Sequence, residues 1–129
     1  PDGLTPLMAA AAQGRLKTLK LLLFKKADIN TQDAFGNTAL VHATAQGKVS
    51  VITALLEKGS RVNLANNQGS TALHIASRIG SVRCLNILLK KGARMNLTNI
   101  NSLTALHEAA RSGKTHATLL LLRAGKPLN

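Results

Sequence analysis

The apolar residues of this chain recur with the period of a helix, and the whole pattern returns every 33 residues. Leu16, Leu19, Leu22 and Leu23 have the spacing of one helical face. Later units repeat that face with Val49, Ile52, Leu55 and Leu56 and with Val82, Leu85, Leu88 and Leu89. A shorter run precedes each face, first at about Pro6 to Gln13, and predicts a helix too short to be stable without neighbours. Each unit therefore predicts a short helix followed by a longer one.

Several sets of residues keep the same phase along the chain. They are Thr5, Thr38, Thr71 and Thr104; Leu7, Leu40, Leu73 and Leu106; Gly14, Gly47, Gly80 and Gly113; and Asn30, Asn63, Asn96 and Asn129. A further apolar column, expected to hold each following loop against the stack, is Ile29, Val62, Met95 and Leu128. Self-similarity at this period predicts one linear domain, 1–129, with repeats at about 1–32, 33–65, 66–98 and 99–129.

The ends of the helices carry their own signals. The threonine before each short helix is expected to cap it, because its hydroxyl can accept from a free N–H of the first turn. The glycine after each short helix predicts a left-handed C-terminal cap. The longer helices end at a glycine in three repeats: Gly59, Gly92 and Gly125. The first repeat has Lys26 there, so we expect a weaker cap. Turn tips are expected at Gly36 and Gly69; because Ser102 replaces that glycine, the tip from Ile100 to Leu103 is expected to differ.

The stretch Thr71-Ala72-Leu73-His74-Ile75-Ala76 and the shorter Thr5-Pro6-Leu7 resemble the core of the ankyrin repeat, whose period is similar. The resemblance covers the whole chain. It implies an all-α solenoid of stacked helix-turn-helix units joined by short turn or hairpin loops. It also implies that His74 and His107 form structural hydrogen-bond bridges between adjacent repeats. It says little about function, because arrays of this fold bind many different partners.

Charge narrows the classes of partner. Seventeen Lys and Arg against five Asp and Glu give a net charge of +12, which favours an acidic or phosphate-bearing partner or serves solubility. Two basic columns are in phase: Lys25, Lys58 and Lys91 at the ends of the longer helices, and Arg15, Lys48 and Lys114 just after the glycine between the helices. We interpret both mainly as solubility and helix-end electrostatics. Aromatic residues are only 2% of the chain, which disfavours nucleic acid as a partner.

No group of residues indicates catalysis, a metal or a cofactor. The acids are scattered and form no evident acid–base pair; they are Asp2, Asp28, Asp33, Glu57 and Glu108. No Cys or carboxylate stands at ligand spacing from a histidine, so a zinc site is not expected. His42 should point outward, and Cys84 lies on an apolar stripe and should be buried. We therefore predict no enzyme within this segment.

The resemblance implies that partners bind the concave edge formed by the short helices and the turn tips. The outward positions of that edge in this sequence are Phe35, Asn37, His42, Gln68, Ser70, Arg78, Ile79, Ile100, Asn101, Leu103, Glu108 and Arg111. Apolar side chains beside arginine and amide groups resemble a protein-binding hot spot. We therefore predict a protein–protein interaction module that binds a protein with an acidic and apolar surface.

Two other functions stay open on the sequence alone. The basic columns could bind nucleic acid or anionic lipid, with a steep salt dependence. Alternatively, the array is a structural or target-selecting module of a larger protein such as a host-directed effector enzyme, since the chain starts at Pro1 and reads as a segment.

The sequence also bears on the cellular compartment and on the C-terminal end of the stack. No apolar run approaches the about 20 residues that span a bilayer, and the single cysteine fits a reducing compartment. We expect an intracellular protein, cytoplasmic or nuclear, or in the host cytosol for an effector. Leu119 stands where the other repeats have polar residues, so a contact or a further repeat is expected at that end.

Overall fold

The computed structural model describes residues 2–125, which form eight helices and no strand. In chain order they are α1 (Pro6–Gln13), α2 (Leu16–Phe24), α3 (Ala39–Ala45), α4 (Val49–Glu57), α5 (Ala72–Ile79), α6 (Val82–Lys90), α7 (Ala105–Arg111) and α8 (Thr115–Ala124). The all-α fold and the bounds of the first helix are confirmed. Leu128 and Asn129, which the pattern placed in two columns, lie outside the described residues.

The helices form two layers. The odd-numbered inner helices pack on one another in chain order, and the even-numbered outer helices do the same. Each inner helix also packs on the outer helix of its own repeat. The core includes Leu7, Leu40 and Leu73 from the inner helices and Leu19, Ile52 and Leu85 from the outer helices, all buried. The core is therefore a line along the stack, and each repeat is stabilised by its neighbours.

A threonine begins every inner helix. In each case the hydroxyl accepts a hydrogen bond from the N–H three residues later; the four are Thr5, Thr38, Thr71 and Thr104. Loss of such a cap costs about 1 kcal/mol. Gly14 and Gly80 end their helices at φ +71° and +85°, and Gly47 and Gly113 adopt the same region one residue after the cap. Both sequence signals for the inner helices are confirmed.

The turn tips keep one shape in three repeats, against the expectation for the fourth. Ser102 adopts φ +62°, close to the +79° of Gly36 and the +73° of Gly69. Its N–H donates to the carbonyl of Asn99 at 2.9 Å, as Gly69 does to Asn66. The hydrogen bonds of the tip thus hold a non-glycine residue in the left-handed region, where an L residue costs about 1–2 kcal/mol.

Backbone hydrogen bonds connect successive tips. The N–H of Ala34 donates to the carbonyl of Asp2 at 2.8 Å, and that of Asn67 donates to the carbonyl of Phe35 at 3.0 Å. Ile100 donates in the same way to Gln68 at 2.9 Å. All three bonds join equivalent positions of neighbouring repeats. They fix the spacing of the tips along the inner edge of the stack.

The outer helices end less uniformly. Gly59 and Gly92 adopt φ +100° and +94°, and Lys26 is held at +66° in the first repeat. That conformation disfavours a side chain, in line with the weaker cap expected there. Gly125 ends α8 with a right-handed φ of −83°. The apolar column that follows these helices packs against the core at Ile29, Val62 and Met95.

Candidate binding groove

The inner helices and the tips of repeats two to four enclose one open groove of about 680 Å³. Its walls are mostly polar. The lining residues are Asn37, Val41, His42, Ala45, Asn66, Gln68, Ser70, Ile75, Arg78, Asn99, Asn101, Glu108, Arg111 and Ser112. The groove therefore lies along the edge where the sequence placed the candidate site.

Eight of the twelve candidate residues line this groove: Asn37, His42, Gln68, Ser70, Arg78, Asn101, Glu108 and Arg111. Two of them are nevertheless buried, Ser70 with 3% and Glu108 with 6% of its surface exposed. A buried side chain cannot meet a partner without rearrangement, so these two belong to the wall. Their assignment as partner-binding residues stays a prediction, and helical position alone did not show what packs over these two side chains.

The four apolar candidates do not line the groove. Phe35 and Ile100 are 65% and 63% exposed at the tips, and Ile79 is 42% exposed at the end of α5. Leu103 is half-buried, and its carbonyl accepts a hydrogen bond from His74. An apolar surface thus flanks a polar groove at the tips, instead of apolar anchors standing among the arginines inside it.

One column of Asp and Asn side chains shapes the groove, and the sequence analysis missed it. The Oδ1 atoms of Asp33, Asn66 and Asn99 each accept two backbone N–H groups of their own tip, at 2.9–3.1 Å. This geometry is the Asx-turn, in which the side chain replaces a backbone acceptor. The signal was available, because the three residues are in phase.

The second atom of each side chain in that column points into the groove wall. Asp33 Oδ2 lies 2.9 Å from His42 Nε2, and Asn99 Nδ2 donates to Glu108 Oε2 at 2.9 Å. His42 and Glu108 occupy the same position in their repeats. The middle repeat has Ile75 there, and its Asn66 donates instead to Asn37 of the repeat before, at 2.9 Å. His42 therefore turns to Asp33 instead of projecting freely outward as the sequence analysis expected.

The contacts of Asp33 change its titration. Burial raises the pKa of Asp33, but hydrogen bonds from the N–H of Asn37, from His42 and from the N–H of Phe35 outweigh it. The pKa of Asp33 therefore lies below its ordinary value. A carboxylate held in this way stays ionised and paired at neutral pH, so it offers no free charge to a partner.

The histidine bridge implied by the family resemblance exists at His74. Nδ1 lies 3.1 Å from the N of Thr71 and 3.0 Å from its hydroxyl, while Nε2 lies 2.9 Å from the carbonyl oxygen of Leu103 in the next repeat. The side chain is 1% exposed. His107 makes the same contacts with Thr104 but is exposed. Within the described residues, only His74 of the two spans a repeat boundary.

Two arginines supply the charge of the groove. Arg78 lies in the last turn of α5, and Arg111 is at the equivalent position one repeat later, as the last residue of α7. Both are exposed, and among residues 2–125 neither has a carboxylate within ion-pair distance. Both carboxylates of the groove region are already hydrogen-bonded, Asp33 to His42 and Glu108 to Asn99. The arginines are therefore available to an anionic group.

The two basic columns differ in their surroundings. Lys25, Lys58 and Lys91 are the C-cap residues of outer helices, where a cation is favourable. The other column, Arg15, Lys48 and Lys114, consists of N-cap residues. A cation is unfavourable at that end of the helix dipole, so helix-end electrostatics is the wrong explanation for this second column. The stems of Lys48 and Lys114 instead lie over Gly14 and Gly80 of the preceding repeat, so closely that a Cβ there would meet them at 2.9 and 2.7 Å.

The remaining candidate features lie outside the groove. Cys84 is fully buried, as predicted. In the described part of the chain no group of three His, Cys, Asp or Glu side chains could hold a metal ion, and no helix is both long and apolar enough to cross a membrane. Leu119 and Leu122 are 45% and 49% exposed on α8 and line an open hollow of about 420 Å³. A contact at that end stays a prediction.

The fold and the groove define a class of protein, a linear solenoid of helix pairs whose inner edge is a preformed surface. Two family models agree with that description: ankyrin repeats in three copies match residues 7–99, and ankyrin repeats in many copies match residues 80–122. The chain belongs to the ankyrin repeat family. Its repeats are generally protein–protein interaction modules and generally non-catalytic. No curated protein matches the sequence significantly.

Proposed function

We propose that this array binds an acidic segment of another protein in the groove, with the exposed tips as apolar flanks. The observation that carries the proposal is the pair Arg78 and Arg111, exposed on adjacent inner helices. Charge complementarity across an interface sets specificity and association rate. Arginine is also enriched in binding hot spots, because its planar guanidinium can bind a carboxylate through two hydrogen bonds.

The tips extend this surface. Phe35 and Ile100 lie two repeats apart on the same edge, and the backbone bonds between tips hold them in place. A rigid surface loses little entropy on association, which favours affinity. We expect the partner to place carboxylates at the arginines and an apolar side chain against a tip.

The test is a pull-down with the wild-type array and two charge-matched variants, followed by titration of the purified partner. The groove variant is Arg78→Glu with Arg111→Glu. The control is Lys90→Glu with Lys91→Glu at the exposed end of α6, which changes the net charge equally. We expect a protein that wild type and control retain and the groove variant loses. Equal retention by all three would show that the groove is not the binding surface.

Binding of nucleic acid is the competing function. It predicts an affinity that falls steeply between low and physiological salt, because phosphate binding releases counterions. An acidic and apolar protein contact in the groove is expected to weaken far less. The salt dependence measured with the captured partner separates the two.

A further inference from the structure

The first outer helix differs from the other outer helices at its solvent-facing positions. Phe24, 79% exposed, stands where the other three repeats have the charged residues Glu57, Lys90 and Arg123. Residues that stabilise the stack recur at the same position in every repeat. The exposed Phe24 has no apolar equivalent in the other repeats, so it does not contribute to stacking. Phe24 therefore gives α2 an exposed apolar side chain that the other outer helices lack at this position.

Lysines cluster along the sequence on both sides of this phenylalanine. Lys17, Lys20 and Lys26 are exposed, and each replaces a different residue in the second repeat, where Ser50, Thr53 and Gly59 stand. Lys25 follows Phe24 directly, with Nζ 5.9 Å from the centre of its ring. No Asp or Glu occurs between residues 15 and 27. We call Phe24 with these four lysines the α2 patch.

The position of Lys26 is a separate indication. It adopts φ +66°, where the equivalent residues of the next two repeats are glycines. A lysine is disfavoured in that conformation. The fold therefore tolerates strain at the point where the lysine adds a fourth charge to the patch.

We propose that the α2 patch docks on an anionic membrane surface. Two lysines on α2 and two directly after it form a basic cluster of the kind that recognises acidic lipid headgroups. An aromatic ring among them can enter the boundary between headgroups and acyl chains while the lysines remain at the headgroups.

Other occupants fit this surface less well. Lysine is depleted in protein–protein interfaces, where arginine is enriched, and the patch contains no arginine. Single-stranded nucleic acid is usually held in a basic groove with several stacking aromatics, whereas the patch has one ring. The only carboxylate lining the hollow beside Phe24 belongs to Glu57, and Lys20 and Lys58 line the same hollow. The patch belongs to the outer layer, so it leaves the groove accessible.

The test is co-sedimentation with vesicles of phosphatidylcholine and of an equimolar mixture of phosphatidylcholine and phosphatidylserine. The variant Lys17→Ser, Lys20→Thr, Phe24→Glu and Lys26→Gly gives α2 the surface of the second repeat, so it is compatible with the fold. Each lysine near an anionic surface contributes about a fivefold gain in binding, so we expect a loss of about a hundredfold on the acidic vesicles. The control Lys90→Glu with Lys91→Glu, which changes the charge equally, should lose less than about tenfold.

Insertion of the ring has its own readout, because the chain contains no tryptophan. A Phe24→Trp reporter should shift its emission to the blue on acidic vesicles, and a Phe35→Trp reporter should not. Failure of the wild type to bind acidic vesicles, an equal loss in the control, or an unshifted Phe24→Trp spectrum would each overturn the proposal. Strong competition by an oligonucleotide in place of lipid would overturn it as well. None of these results depends on the groove.

Discussion

His42 Nε2 lies 2.9 Å from Asp33 Oδ2, and the two residues tie the turn tip of the second repeat to its inner helix. The fourth repeat makes the same connection with exchanged chemistry, since Asn99 donates to Glu108. In both cases a side chain that already shapes its own tip uses its second polar atom to hold the helix. Side chains therefore connect tip and inner helix at both ends of the groove, and the middle repeat is linked to the one before through Asn66 and Asn37.

The lowered pKa of Asp33 predicts an acid-sensitive part of the stability. Its pKa is lower in the folded chain than in the unfolded chain, so the stabilisation is complete above the unfolded value of about 3.9. It is lost as the pH falls from there through the folded value. Urea denaturation between neutral pH and pH 3 should show this loss in the wild type and a smaller loss in Asp33→Asn.

Substitutions of Asp33 separate the contribution of the turn to stability from the contribution of the charge. Asn serves at this position in the next two repeats, so Asp33→Asn should keep the tip. Asp33→Ala removes the acceptor of two backbone N–H groups and should cost about 1–3 kcal/mol at neutral pH. If the Asn variant were as unstable as the Ala variant, the charge would matter more than the turn.

His74 should be far more important for stability than its equivalent in the next repeat. Replacement by Ala removes a buried bridge to Leu103 and leaves a cavity, for an expected loss of about 2–4 kcal/mol in the free energy of unfolding. The matched variant His107→Ala alters an exposed ring that bonds only to Thr104 among the described residues, and should cost less than about 1 kcal/mol. Chemical denaturation of the two variants measures the difference. Equal losses would contradict the bridge.

At the turn tips, introducing a glycine and removing one should change the stability in opposite directions. Ser102→Gly should raise the stability by about 1 kcal/mol, because it removes a side chain from a left-handed residue. Gly36→Ala should lower it by more than about 1 kcal/mol, because the new Cβ would lie 2.7 Å from the backbone nitrogen of Asn67. Thermal unfolding of both variants tests this, with Gly47→Ala, whose Cβ would meet nothing within 4 Å, as the comparison for backbone strain alone.

Single substitutions in the groove and at a flanking tip should separate binding from folding. Phe35→Ala or Arg111→Glu is expected to lower the affinity for the partner at least about tenfold, as truncation of hot-spot residues does. Neither should change the melting temperature by much, because both side chains are exposed. Calorimetric titration and differential scanning calorimetry give the two quantities. Normal binding by both variants would show that the groove is assigned wrongly.

Much of the fold follows from spacing. The phase of Thr71, Leu73 and Gly80 was enough to place the helices, their caps and the buried column, because a stacked repeat must present the same faces to its neighbours every time. The burial of Cys84 followed from the same argument, whereas the role of His74 followed only from the resemblance to the ankyrin repeat. The shape of the turn tip at Ser102 could not be predicted in this way, because the sequence shows that a glycine is missing but not the hydrogen bonds that offset its absence.

The sequence by itself determined the solenoid, its inner and outer faces and the position of the two exposed arginines. Only the tertiary structure decided which polar residues are free to bind. Asp33 and Glu108 are isolated acids along the chain, yet each is hydrogen-bonded to a side chain nine residues away. The physical reason is that exposure and hydrogen bonding depend on where side chains from the tip and the helix meet in space, and a repeat period fixes the backbone positions without fixing those contacts.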